Sequence, residues 1–161
     1  MSKVAAAYST ALNGKGLSIG IVHARWNAEI TEPMRAHCVA ELQALGVDAT
    51  AIKVVSVPGA LEIPLALQLL VQAGAVDGMV AIGCVVRGDT YHFEIVCNES
   101  CRGVSEVALT TGMPIANAIL TVENQAQAVE RIEKGRDAAR VVVEMICLAQ
   151  QLRQETEESA A

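Results

Sequence analysis

The segment Gly83-Cys84-Val85-Val86-Arg87-Gly88-Asp89-Thr90-Tyr91-His92-Phe93 brings the residue types that chemistry needs into one short stretch. An apolar run from Met79 to Val86 stops at a polar turn, Arg87-Gly88-Asp89-Thr90, and a helical pattern begins at His92. A strand end that meets a helix start leaves free backbone N–H groups, which hold anions. An imidazole exchanges protons near neutral pH and suits general acid–base work. Two readings stand for each part. Gly88, Asp89 and Thr90 serve as phosphate donors or as an ordinary turn and cap. His92 is a proton carrier or a helix-end side chain bonded to nearby backbone.

Three more clusters follow apolar, strand-like runs: His23-Ala24-Arg25-Trp26-Asn27, Val57-Pro58-Gly59-Ala60-Leu61-Glu62, and Thr121-Val122-Glu123-Asn124, with Arg131 further on. Trp26, the single tryptophan, is either a stacking surface for a planar ring or a half-buried packing residue. Glu62 could bind sugar hydroxyls or favour a helix dipole. Arg131 and Lys134 read as an anion clamp or as cations placed at a helix end. His23 and His37 suggest no role.

The elements that position these clusters follow from periodicity. Strands are expected at Leu17–Val22, Thr50–Val57, Met79–Val86 and Pro114–Leu120. Helices are expected between them. The first carries Ile30, Met34, Cys38, Leu42 and Leu45 and closes at Gly46; the second carries Ile63, Leu67 and Leu70 and closes at Gly74. The third turns Phe93, Val96, Cys97, Cys101, Val104 and Ala108 inward and ends at Gly112. A short helix spans Glu123–Arg131. The last, Arg136–Arg153, buries Val141, Val142, Met145, Ile146, Ala149 and Leu152. Alternation of strand and helix predicts an α/β sandwich around a parallel sheet, with the four clusters converging at its carboxyl edge. Residues 1–16 read as an arm, 17–154 as a single domain and 155–161 as a flexible tail.

Composition narrows the function classes. Apolar residues make up 52% of the 161 and charged residues 19%, which supports a sizeable core and argues against disorder. A net charge of −6 without a basic run argues against nucleic-acid and acidic-membrane partners. No stretch nears the ~20 apolar residues of a membrane helix. Five cysteines without paired His or Cys spacing read as free thiols in a reducing cytoplasm, not as a metal site. No secretory signal is expected, and neither G-x-G-x-x-G after the first strand nor a Walker A sequence is present.

Taken together, the segments Trp26-Asn27, Val57-Pro58-Gly59-Ala60-Leu61-Glu62-Ile63-Pro64, Gly83 to Glu94 and Leu120-Thr121-Val122-Glu123-Asn124 occur in an order that resembles the 6,7-dimethyl-8-ribityllumazine synthase family. The likeness extends from about Leu17 to Leu152. It implies a flavodoxin-like three-layer sandwich with a four-stranded parallel core sheet. It implies condensation of 5-amino-6-(D-ribitylamino)uracil with 3,4-dihydroxy-2-butanone 4-phosphate, in riboflavin biosynthesis, with no metal or organic cofactor. By the same resemblance, Trp26 stacks on the pyrimidine beside Asn27, and Ala60, Leu61 and Glu62 hold the ribityl chain. Val85 and Val86 lie along the pyrimidine, Gly88, Asp89 and Thr90 face the phosphate, and His92 is catalytic. Arg131 meets the phosphate from an adjacent subunit, and Lys134 lines the same pocket. Asn117 stands where many relatives carry an aromatic, and the chain between Arg131 and Gly135 is shorter than in relatives with a longer loop. The resemblance further implies a homo-oligomer built on pentamers, and riboflavin synthase as a candidate partner. Two rivals belong to other classes: a flavin- or lumazine-binding protein without turnover, and a shell-forming structural protein.

Overall fold

The computed structural model describes residues 12–161. Its strands are β1 (Ile19–Ala24), β2 (Ile52–Val57), β3 (Gly78–Val86) and β4 (Ile115–Val122). Its helices are α1 (Ala28–Ala44), α2 (Ile63–Ala73), α3 (His92–Thr111), α4 (Gln125–Val129) and α5 (Lys134–Ala160). All strand pairs are parallel, in the order β2-β1-β3-β4, with Ile19 opposite Ile52 and Gly78, and Met79 opposite Ile115. β1 is buried throughout and β3 as far as Cys84, as expected of strands covered on both faces.

Strand alternation sends successive side chains to opposite layers. Ile19, Ile21, Val80 and Ile82 meet Met34, Leu42 and Val142 of α1 and α5. Val22, Met79 and Ala81 meet Ile63, Leu67 and Val104 of α2 and α3. Burying each such aliphatic side chain contributes about 1.5–3 kcal/mol. The result is the three-layer, flavodoxin-like α/β sandwich. Gly74 and Gly112 end α2 and α3 at φ 69° and 70°, where a side chain would be strained.

Several local expectations are corrected. β1 begins and ends two residues later than the apolar run implied, because His23 is inside the strand and buried. Thr50 belongs to a 3₁₀ turn, Ala49–Ala51, where the Asp48 carboxylate accepts from both the Thr50 N–H and its hydroxyl, so β2 starts at Ile52. The fully buried line of α3 is Ser100, Val104 and Val107, while Phe93, Val96, Cys97, Cys101 and Ala108 are only half-buried. On α5 the inward residues are Ala138, Ala139, Val142, Val143 and Ile146; Val141, Met145 and Leu152 point outward. That helix carries apolar residues on two faces, and periodicity alone does not choose between them. It also continues through Ala160, past the expected fraying point, because the tail is rich in helix formers and Gln151 donates to Glu155 one turn on.

Of the expected arm, residues 1–11 lie outside the described residues. Leu12 packs against the core, and buried Gly14 donates its N–H to the Leu45 carbonyl at 2.8 Å. Among the described residues, no helix is long and apolar enough to cross a membrane.

Candidate active site

The chain runs from β1 outward to β2, then returns across β1 to β3. Strand order therefore reverses between β1 and β3, and a crevice opens at their carboxyl ends. Asn27 crosses it: its side-chain amide donates to the Cys84 carbonyl at 2.8 Å. Asn27 itself sits in the left-handed region, at φ 59°, and starts α1 by accepting the Ile30 and Thr31 N–H groups at its carbonyl. This bend turns Trp26 out of the sheet.

A cleft of about 330 Å³ occupies the crevice, within the usual range for small-molecule sites. Trp26, Asn27, Ala60, Leu61, Glu62, Val85, Val86 and His92, all expected from sequence, line it together. Trp26 is 72% exposed, so it is not packed into the core of its own chain. Gly59 makes room for it: a Cβ there would stand 3.2 Å from Trp26 Cδ1 and 3.1 Å from Glu62 Oε2. Gly59, Cys84 and Val96 complete the lining and were not anticipated as site residues. Burial pushes the Cys84 thiol up to about 11, so it stays neutral and serves as an apolar wall.

The turn Gly88–Thr90 lies beside His92, the first residue of α3, and is exposed. Among the described residues, the Gly88, Asp89 and Thr90 N–H groups donate to no backbone carbonyl. Arg87, to which sequence reasoning gave no role, brackets this turn. Its Nε donates to Glu123 Oε2 at 2.6 Å, its Nη1 donates to Glu94, and its guanidinium lies 4.3 Å from the centre of the Phe93 ring. Arg87 holds the Glu94 carboxyl below the usual carboxylate range. The signal in the sequence was an arginine just past one strand and an acid just past the next.

Asn117, Arg131 and Lys134 are not lining residues of this cleft. Asn117 lies on β4, where its side-chain oxygen accepts the Ile119 N–H at 2.9 Å and its amide meets Cys101 Sγ at 3.5 Å. Arg131 follows α4, donates to the Gln127 carbonyl at 2.8 Å and lies 3.6 Å from Glu130. Lys134 opens α5 and pairs with Asp137 at 3.3 Å. His37, also without an expected role, contacts Glu133 at 2.8 Å.

The family model described as 6,7-dimethyl-8-ribityllumazine synthase matches residues 16–150. The chain belongs to the 6,7-dimethyl-8-ribityllumazine synthase family. Proteins of that name are similar to it in Leptothrix cholodnii, at 58% identity over 88% of this chain and 92% of that protein. Another, from Albidiferax ferrireducens, is 60% identical over 87% of this chain and 90% of that protein. A third, from Paraburkholderia phymatum, is 53% identical over 91% and 86%. As a member of the lumazine synthase family, the chain is a transferase.

Proposed function

We propose that this cleft condenses 5-amino-6-(D-ribitylamino)uracil with 3,4-dihydroxy-2-butanone 4-phosphate to give 6,7-dimethyl-8-ribityllumazine, phosphate and water. The supporting observation is the meeting of an exposed indole, an Ala60–Glu62 rim that carries one carboxylate, an apolar Val85–Val86 wall and His92 around one opening. In this reading the pyrimidine stacks on Trp26 beside Asn27 and lies along Val85 and Val86. Its ribityl hydroxyls meet the Ala60–Glu62 segment.

The pyrimidine's 5-amino nitrogen bonds to the ketone carbon, and the former carbonyl oxygen departs as water to leave an imine. Loss of a neighbouring carbon-bound proton lets the C–O bond to phosphate break, with the electron pair leaving on phosphate. The enol left behind takes up a proton at its terminal carbon and becomes a methyl ketone; the ribitylamino nitrogen attacks this new carbonyl, and a second water departs as the ring closes. Each step moves a proton, so His92 acts repeatedly as acid and base. The N–H groups of Gly88–Thr90 and the Arg131 guanidinium receive the leaving phosphate. Alignment of two substrates supplies much of the acceleration, up to about 7–11 kcal/mol in favourable cases.

The phosphate half of the site draws on a neighbour. Arg131, Lys134 and Asn117 lie away from their own chain's cleft, and we assign them to the next subunit's cleft in a pentameric ring. Exposed Leu65, Leu69, Ile95 and Leu109 on α2 and α3 supply apolar surface for such contacts. All five cysteines are free thiols, in keeping with a reducing cytoplasm.

Purified protein incubated with both substrates should generate lumazine fluorescence and inorganic phosphate in equal amounts. Neither product appearing, from folded protein, removes the reading.

A further inference from the structure

One side chain ties together three elements around the reacting end of the cleft. The Arg87 N–H donates to the Val122 carbonyl at 2.9 Å, fixing the residue beside the end of β4. From there its guanidinium reaches Glu123 after β4, and Glu94 and Phe93 in the first turn of α3. The Gly88–Thr90 turn is strung between Arg87 and α3, and His92 immediately precedes two residues that Arg87 holds. A guanidinium suits this place because its planar fork addresses two carboxylates while its face stacks on an aromatic ring.

The charges matter as much as the geometry. Glu94 and Glu123 stand beside the turn assigned to a phosphate dianion. With Arg87 in place the trio sums to −1; without it, two carboxylates would face the dianion. Its Nε and Nη1 donate to these two carboxylates and its face rests on the Phe93 ring, which suits it as a brace.

We propose that Arg87 is a positioning residue for the condensation, acting through His92 and the Gly88–Thr90 turn and cancelling carboxylate charge beside the phosphate. The inference rests on the functional reading above. It assigns to Arg87 no contact with either substrate.

Steady-state kinetics with each substrate varied, on folded full-length variants, tests it. Arg87→Gln should raise the KM for the phosphorylated butanone about 5- to 10-fold through unscreened like charge. The KM for the pyrimidine should stay within about 2-fold, and kcat should fall about 10-fold because a small misplacement of an acid–base group is costly. Arg87→Lys keeps the charge and loses the fork, so KM should stay near wild type while kcat falls about 3- to 10-fold. A triple variant, Arg87→Gln with Glu94→Gln and Glu123→Gln, should recover the phosphate-side KM and leave kcat low. A triple variant whose phosphate-side KM stays high identifies a direct phosphate ligand and overturns the proposal. Wild-type kcat in Arg87→Lys also overturns it, and that variant remains informative where Arg87→Gln does not fold. Wild-type protein that fails to turn over defeats the functional reading itself, whereas active wild type with unaltered Arg87 variants defeats only this inference.

Discussion

Mixing two impaired variants, assayed with the phosphorylated substrate far below its KM, tests the shared-site reading most sharply. Within one chain, His92 lines the cleft at the carboxyl end of β3, whereas Arg131 lies beyond α4 and outside that lining. If each site takes His92 from one subunit and Arg131 from the next, a ring of only His92→Ala or only Arg131→Ala subunits has no intact site. Co-expressed in equal amounts and assembled at random, a given site draws its His92 from an Arg131→Ala chain about half the time. It draws its Arg131 from a His92→Ala chain about half the time. About one quarter of the sites in a ring with head-to-tail contacts are then wild type in both residues. At that substrate level activity should rise to about 25% of wild type, against roughly 10²-fold loss for the His92→Ala parent and about 10-fold loss for the Arg131→Ala parent. The assay is lumazine formation by mixed oligomers purified through two different tags. Activity no higher than the average of the two parents refutes the assignment of Arg131 to the neighbour's cleft, as does a monomer by light scattering.

Other outcomes follow from particular contacts. Arg131→Ala should raise the KM for the phosphorylated substrate about 10-fold or more and weaken competition by inorganic phosphate, since a charged hydrogen bond is worth about 1.5–3 kcal/mol; loss of pyrimidine affinity alone would contradict the assignment. At Gly135, where α5 leans on α1, an added Cβ would stand 2.1 Å from the Met34 carbonyl oxygen, so the helices must part. Gly135→Ala should therefore cost about 1–3 kcal/mol, and an unchanged Tm would show the approach to be looser. His23 is buried on β1, its Nδ1 without a hydrogen-bond partner and 3.7 Å from Glu32, and burial lowers its pKa from 6.5 despite that carboxylate. The unfolded chain thus takes up this proton first, so stability is full above pH 6.5 and declines as pH falls below it toward the folded-state value. His23→Val should flatten the Tm–pH slope in that window, whatever it does to Tm itself; an unchanged slope would place the acid sensitivity elsewhere.

The layer order and most of the cleft were legible from the chain because each rests on a local cue. Continuous apolar runs marked β1 and β3, and Gly74 and Gly112 marked helix ends that the structure places in the left-handed region. The clusters after successive strands had to converge once the sheet was parallel, which brought Trp26, Glu62 and His92 together without any tertiary knowledge. What stayed hidden depended on register. Val86 lies opposite Val122, so Arg87 and Glu123 leave the sheet side by side. No spacing rule reaches across a separation of 36 positions. The same holds for Glu41, buried between α1 and α5 and met there by Arg136 at 3.3 Å and Arg140 at 2.8 Å.

The misread helix faces share a different cause. Periodicity reports which residues avoid water, and it does not say which chain covers them. On α5, Val141, Met145, Leu148 and Leu152 recur every three or four residues, as a core stripe would, and are 37–52% exposed. On α3, Ile95 and Leu109 are exposed while the polar Ser100 is buried. Helix α5 carries two apolar patterns, one packed into its own core and one left uncovered. Reading both as core places Val141, Met145 and Leu152 inside along with Val142 and Ile146, which are buried. The uncovered stripe belongs to the helix that Lys134 opens and that Arg131 precedes by three residues, the two cations left outside their own cleft.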